Sequence, residues 1–407
     1  MLNVKKIRED FPILKEKMQG KNLVYFDSAA TSLKPNCVIK AIEDYYSKYS
    51  ANYHRGDYDL AFKVDEKISQ CRDRVAKLIN CESKEVVFTS GTSMSINLVA
   101  YGYAIKHLKK TDTILLSEEE HASNLLPWFH VKKVTGCKIE YIPLDKDRFV
   151  TVSNFKKAMH KGVKLVSLAQ ISNVLGHEVD IKSIAKIAHK FGAVVVCDGA
   201  QSVPHKKVDV KDLDVDFLAF SGHKMCGPTG IGVLFGKYDL LVKTEPFLTG
   251  GGMNDKIFKD GKVTLYDPPY RFEAGTINIA GIIGLSEAID YLLKIGMDKI
   301  EEHERSLREY LNKKIIGIKD LVVYNPKTTT GIFAFNKKGI FAQDEATFLN
   351  SKGIAVRSGQ HCAKLLNNVI CEPATVRCSF YFYNTKEEID YFVECLKKGD
   401  ILDAYFN

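Results

Sequence analysis

Short apolar runs that do not alternate with polar residues constrain the fold of this 407-residue chain most. Thr113–Leu116, Lys164–Leu168 and Ala193–Cys197 carry little alternation, as expected of strands buried on both faces. Amphipathic stretches separate them. Ile96, Val99, Ala100 and Tyr103 recur at i, i+3, i+4 and i+7 and line one helix face. Strands of this kind joined through helices predict an α/β sheet with helices on both sides.

The texture changes after a long helical stretch near Asn278–Leu293, which follows Gly250-Gly251-Gly252. A charged helix comes next (Lys299–Leu311), then strands at Gly331–Phe335, Ile354–Val356 and Ala374–Cys378. The closing helix carries a capping box, Thr385 with Glu388, and a buried stripe of Ile389, Phe392, Val393 and Leu396. This pattern predicts a second, smaller α+β domain from about residue 291.

Composition removes several alternatives. Apolar residues make up 45% and charged residues 27%, an ordinary globular balance that argues against disorder. The net charge of +8 is scattered in doublets such as Lys109-Lys110 and Lys132-Lys133, so a solvated mixed surface is expected and no nucleic-acid partner. The start of the chain lacks the apolar core of a signal peptide, and charges interrupt every apolar run before membrane-spanning length. Ten cysteines without a Cys-x-x-Cys pair fit neither a disulfide framework nor a zinc ribbon. The expectation is a cytoplasmic protein with no membrane partner and no metal, whose cysteines are mostly reduced and buried.

Four windows carry chemistry. An apolar strand runs into Ser221-Gly222-His223-Lys224 and a turn rich in Gly and Pro, a strand end that suits a lysine bonded to a cofactor above a bound phosphate. A surface lysine in a glycine turn is the plain alternative. The strand Ala193–Cys197 ends in Asp198, aimed at the crevice where α/β proteins bind ligands. There it could keep a pyridine nitrogen protonated, or simply cap a helix. Thr89-Ser90-Gly91-Thr92-Ser93 opens a helix with hydroxyls and free N–H groups suited to a phosphate, or to helix capping alone. His121 follows another strand end, where an imidazole could stack on a flat cofactor.

Taken together, these windows resemble the class V aminotransferase group of fold-type I pyridoxal phosphate enzymes, and within it the SufS-type cysteine desulfurases. The resemblance runs from Tyr25-Phe26-Asp27-Ser28-Ala29-Ala30-Thr31 through Asn52-Tyr53-His54-Arg55-Gly56 to Val376-Arg377 and Tyr383-Asn384-Thr385. Arg357-Ser358-Gly359-Gln360-His361-Cys362-Ala363 is close to the desulfurase pattern Arg-x-Gly-x-His-Cys-Ala and is its most specific motif. Gln360 stands where many relatives have a second histidine, and Lys364-Leu365-Leu366 replaces a continuation containing proline.

The resemblance implies a large pyridoxal-phosphate domain over 21–290 with a mostly parallel seven-stranded sheet. It also implies a small α+β domain over 291–407, and an N-terminal segment, 1–20, packed on the small domain. It makes Lys224 the cofactor lysine, Asp198 the pyridinium partner and His121 the ring-stacking catalytic imidazole. Gln201 and Asn173 contact the ring on its hydroxyl side, and Thr92, Ser93, Ser221 and His223 hold the phosphate. Thr276 reaches the phosphate of the other subunit of a homodimer. Arg377, with Arg357 and Asn173, binds the substrate carboxylate, a task suited to a planar fork of donors. Cys362 is the sulfur-accepting nucleophile and must attack as thiolate.

Arg357 and His361 beside Cys362 are expected to favour that thiolate, and Gly359 to let its loop move. Cys226, Cys371 and Cys378 lack this setting and are expected to serve packing. The implied reaction takes sulfur from L-cysteine, leaves L-alanine and a persulfide on Cys362, and supplies iron–sulfur cluster assembly through a SufE- or SufU-type acceptor. The alternatives are a selenocysteine lyase, acting on L-selenocysteine with the same site, and a non-catalytic sulfur-relay or scaffold protein.

Overall fold

The structure, a computed structural model, describes residues 2–54 and 56–398; Arg55 of the Asn52–Gly56 window and the last nine residues of the proposed small domain lie outside it. Seven strands form the large sheet: β1 (Val86–Thr89), β2 (Thr113–Leu116), β3 (Lys138–Tyr141), β4 (Val163–Ala169), β5 (Val194–Asp198), β6 (Phe217–Ser221) and β7 (Gly232–Gly236). Their order is β1-β7-β6-β5-β4-β2-β3, and only β7 runs antiparallel to its neighbours. The strands predicted for this sheet, Thr113–Leu116, Lys164–Leu168 and Ala193–Cys197, agree to within a residue at either end. Val163, Leu165, Val166 and Leu168 are all fully buried, which is why these strands show no alternation.

Helices cover both faces. One layer holds Asp59–Ile79, Ile181–Lys190 and Ile279–Ile295, packed on Val166, Leu168, Val195 and Leu218. The other holds Thr92–Leu98 and Leu126–Thr135 against Leu116, Leu165 and Val196. Ile279–Ile295 begins where Asn278 accepts from Gly281 N, and most of its turns are buried. The stripe from Ile96 to Tyr103 does not follow a single α-helix. A π-turn at Val99–Ala104 interrupts it, and Tyr103 stays half-buried.

The second sheet is antiparallel. Its strands, β8 (Leu321–Val323), β9 (Ile332–Lys337), β10 (Arg357–Gly359) and β11 (Thr375–Ser379), lie in the order β8-β9-β11-β10. The helices Met297–Lys314, Ala342–Ser351 and Lys386–Lys398 accompany it. The capping box is formed: Thr385 N donates to Glu388 Oε2 at 3.0 Å and Glu388 N to Thr385 Oγ1 at 3.2 Å.

The beginning of the chain touches both units: Asn36 N and Tyr291 OH each donate to Asp10, to its carbonyl and to its Oδ2, at 2.8 Å. Arg8 Nη1 donates to Glu388 Oε1 at 2.7 Å, and Phe11 is buried against Phe382 and Tyr383. Val24–Tyr25 pairs in parallel with Ile354–Ala355, and Asp27 bridges to Ser379. Residues 24–28 therefore run along the small sheet before the chain enters the large one. Among the described residues no helix is long and apolar enough to cross a membrane, and no cluster of ligating side chains could hold a metal.

Candidate active site

The carboxyl ends of β1, β4, β5 and β6 face one cavity of about 210 Å³. A parallel sheet aligns its strand ends on one edge, so residues far apart in sequence meet there. Thr92, Ser93, His121, Asn173, Asp198, Gln201, Ser221, His223, Lys224, Arg357 and Arg377 all line it. Thr276 does not. It lies exposed in the loop before Ile279–Ile295.

At one end Ser221 Oγ accepts from Thr92 N at 2.8 Å and pairs with Thr92 Oγ1 at 2.7 Å. This contact requires glycine beside it. A Cβ on Gly232 would meet Gly91 Cα at 2.4 Å, so β7 and the β1 turn touch backbone to backbone. Ser93 Oγ pairs with Ser123 Oγ at 2.6 Å, and His223 sits beside Lys224 in the turn that follows β6.

Lys224 is pushed down to about 8, first by burial, with Asp198 and Cys362 opposing and Arg377 and Arg357 adding to the fall. An amine that gives up its proton this much more readily than an ordinary lysine is a better nucleophile and base near physiological pH. Asp198 is buried at the end of β5, and Ala200 N donates to its Oδ1 at 2.9 Å. Burial raises its carboxyl, while the Ala200 amide and the Lys224 charge oppose the rise.

His121 accepts at Nδ1 from Ser123 N at 3.1 Å, so its ring proton sits on Nε2. Burial, then Lys224, Arg357 and Arg377, lowers it to about 4, leaving a neutral imidazole. Burial, with Lys224 and Lys34, likewise lowers His223 to about 4. Gln201 donates to Ala29 O at 2.7 Å, yet its Oε1 is buried without a partner among the described residues.

Arg377 comes from β11 and is 1% exposed. Nη2 donates to Asp27 Oδ1 at 3.0 Å and Nη1 to Asn173 O at 2.9 Å, while Nε has no partner among the described residues. Asp27 escaped the sequence reading. Its signal was a carboxylate immediately after Tyr25-Phe26, at the end of an apolar pair. Asn173 Nδ2 donates to His361 O at 2.8 Å, so this side chain holds the cysteine segment as well as lining the cavity.

Cys362 is exposed beside the cavity, with Arg357 Nη2 3.7 Å from its Sγ. Its backbone carbonyl accepts from Ala122 N at 2.7 Å, next to His121. His361 and Cys362 both have positive φ, 49° and 58°, a costly arrangement for two side-chain-bearing residues in succession. The expected mobile loop is smaller than anticipated. Arg357–Gly359 is strand β10 and Lys364–Ile370 is a helix, so four residues separate two ordered elements.

His361 does not assist the thiol. Its ring is buried, its Nε2 meets Thr375 O at 3.0 Å and Thr375 Oγ1 at 2.9 Å, and burial lowers it to about 3. A neutral imidazole turned toward β11 brings no charge to Cys362, and the cationic group beside the thiol is the guanidinium of Arg357. Cys371 is likewise not packed away. It is the left-handed residue (φ 56°) that closes Lys364–Ile370, a helix end that faces solvent. Cys226 and Cys378 are buried as expected.

The residues present fit pyridoxal 5′-phosphate. A carboxylate and a lysine end adjacent strands, an orphaned Gln201 oxygen is buried at the cavity wall, and hydroxyls and N–H groups gather at the Thr92–Ser221 end. Comparison with known proteins agrees. The family described as aminotransferase class-V matches residues 24–392. A probable cysteine desulfurase of Halalkalibacterium halodurans is 44% identical, over 98% of this chain and 98% of that protein. The apo structure of a cysteine desulfurase from Thermococcus onnurineus superimposes with a TM-score of 0.93 at 39% identity, covering 98% of both chains. The cysteine desulfurase CsdA of Escherichia coli, solved as an S-sulfonic acid, gives 0.91 at 37% identity and covers 99% of both.

Proposed function

The chain belongs to the class-V aminotransferase family, and on that premise we propose that it is a pyridoxal phosphate-dependent cysteine desulfurase. It converts L-cysteine to L-alanine and carries the released sulfur as a persulfide on Cys362. The observation that carries this reading is Cys362 itself. An exposed thiol within 3.7 Å of Arg357 Nη2 borders a cavity lined by Lys224, Asp198 and Arg377. A transaminase has no use for that thiol.

Lys224, Asp198, Gln201, His121, His223 and the hydroxyls of Thr92, Ser93 and Ser221 are the residues that would hold the cofactor. Bound there, pyridoxal phosphate supplies an aldehyde for the substrate amine and a ring that takes up electrons released at the substrate Cα. Arg377 binds the substrate carboxylate, helped by Arg357, and its unpartnered Nε is one free donor for that purpose. Lys224 Nζ, lowered to about 8, takes the Cα proton and can return it. Cys362 Sγ, 3.7 Å from Arg357 Nη2, attacks the substrate sulfur. The S–S bond forms, the C–S bond breaks with its pair left on carbon, and a proton completes L-alanine.

Two copies form the working enzyme. Thr276 is exposed and away from its own cavity, and the hairpin Asn254–Ile257/Val263–Leu265 presents Ile257, 71% exposed, with Phe258 and Val263. Apolar surface of that kind suits a partner subunit. A SufE- or SufU-type protein takes the persulfide sulfur for iron–sulfur cluster assembly.

The test is direct. Purified protein with pyridoxal phosphate should show a visible absorption band, and borohydride should fix the cofactor on Lys224. L-cysteine with a reductant should then give alanine and sulfide in equal amounts. Accumulation of a 2-oxo acid without sulfide would mean a transaminase instead.

A further inference from the structure

Four donors from one short segment converge on the carbonyl of His223, the residue before Lys224. Ser32 N donates at 3.0 Å, Thr31 Oγ1 at 3.0 Å, Ser32 Oγ at 3.1 Å and Lys34 Nζ at 2.9 Å. A carbonyl oxygen offers two lone pairs, so this exceeds what satisfying a turn requires. Lys34 Nζ also donates to Thr31 Oγ1 at 3.2 Å and to Ser32 O. Among the described residues no carboxylate is paired with it. A half-buried ammonium without a counter-ion is a poor stabilising device, because an uncharged side chain would hold the loop without desolvating a charge.

The same segment is anchored at its other end on the small sheet. Asp27 accepts from Arg377, Ala29 N donates to Ser379 Oγ at 2.9 Å, and Ser28 Oγ pairs with Tyr383 OH at 2.8 Å. Between the two ends, Gln201 Nε2 donates to Ala29 O and Cys226 N to Ser32 Oγ, each at 2.7 Å. Residues 27–34 thus span from the arginine of the small sheet to the peptide that carries Lys224.

We propose that this strap, through Lys34, positions Lys224: it fixes the 223–224 peptide, and hence the direction in which the lysine leaves the backbone, relative to Arg377. Lys34 does not line the cavity, so it acts through Lys224 and is a positioning residue. The proposal rests on the assignment of Lys224 to the cofactor made above.

The strap can be tested with Lys34→Met, which keeps the length of the side chain and removes its charge and its donors. The apoprotein should fold with an unchanged circular dichroism spectrum, but its affinity for pyridoxal phosphate should fall at least tenfold. The pH midpoint of the visible band should also move, and KM for L-cysteine should rise. Lys34→Arg should recover most of the affinity. Thr31→Val removes a single donor at constant volume and should lower affinity several-fold, which decides the matter if Lys34→Met does not fold. A Lys34→Met protein that melts earlier yet keeps wild-type cofactor affinity, pH midpoint and KM would make the segment merely structural and overturn the proposal. Absence of any borohydride adduct on Lys224 in the wild type would refute the assignment beneath it, and the proposal with it.

Discussion

Replacing Lys224 by methionine should make the cofactor-free protein more stable, although it abolishes the chemistry. In the fold the amine is displaced from 10.5 to about 8, chiefly because burial disfavours the ammonium. At about 1.4 kcal/mol per pH unit, the charged form costs the apoprotein about 3 kcal/mol at neutral pH. The unfolded chain binds the proton more tightly than the native one between about 8 and 10.5, so this penalty is full below 8 and disappears as pH rises through that window. Methionine has similar length and no charge. Denaturant unfolding of cofactor-free wild type and Lys224→Met should therefore differ by about 2–3 kcal/mol at pH 7 and converge near pH 10.5. Equal stability at pH 7, or a difference independent of pH, would refute the idea that the site stores a desolvated lysine.

Asp27→Asn removes the only carboxylate paired with Arg377 among the described residues, and a charge-assisted bond of this kind should cost about 1.5–3 kcal/mol in unfolding free energy; L-alanine, whose carboxylate can replace it, should recover part of the loss in a thermal melt. Cys362→Ser should keep the cofactor and its spectrum yet form no persulfide, read as the absence of a sulfur-sized mass increment after one turnover. Glu120 is held near 8 by burial, so its carboxyl is protonated in the native state at pH 7. Because the native state holds that proton between 4.5 and about 8, wild-type stability should fall with rising pH across this range, and Glu120→Gln should flatten the fall.

The large sheet was legible because strands buried on both faces leave unbroken apolar runs, and β2, β4 and β5 are such strands. The site was legible where function demands an unusual residue at a strand end, as with Asp198 after Val194–Cys197 and Lys224 after β6. Interactions across long sequence separations were not. Asp27 and Arg377 lie 350 positions apart, and nothing local in either window announces their contact. The same holds for Lys34, which resembles any lysine before a proline until the fold brings the carbonyl of His223 to it. His361 was misread for a related reason: adjacency in sequence suggested help for Cys362, but positive φ at both residues turns the ring toward Thr375. The π-turn at Val99–Ala104 departs from a stripe that fitted a regular helix; within it Gly102 lies against the backbone of Glu245, where an added Cβ would meet the Glu245 carbonyl oxygen at 2.1 Å, a contact no local periodicity announces.

The central claim is that Cys362 receives the sulfur. A single turnover of the loaded enzyme with one equivalent of L-cysteine, quenched with a thiol-alkylating reagent and digested, locates it by mass. The account predicts one added sulfur on the peptide containing Cys362 and one equivalent of L-alanine in solution. The added sulfur on the peptide of exposed Cys371, or alanine formed with no sulfur on the protein, would contradict it.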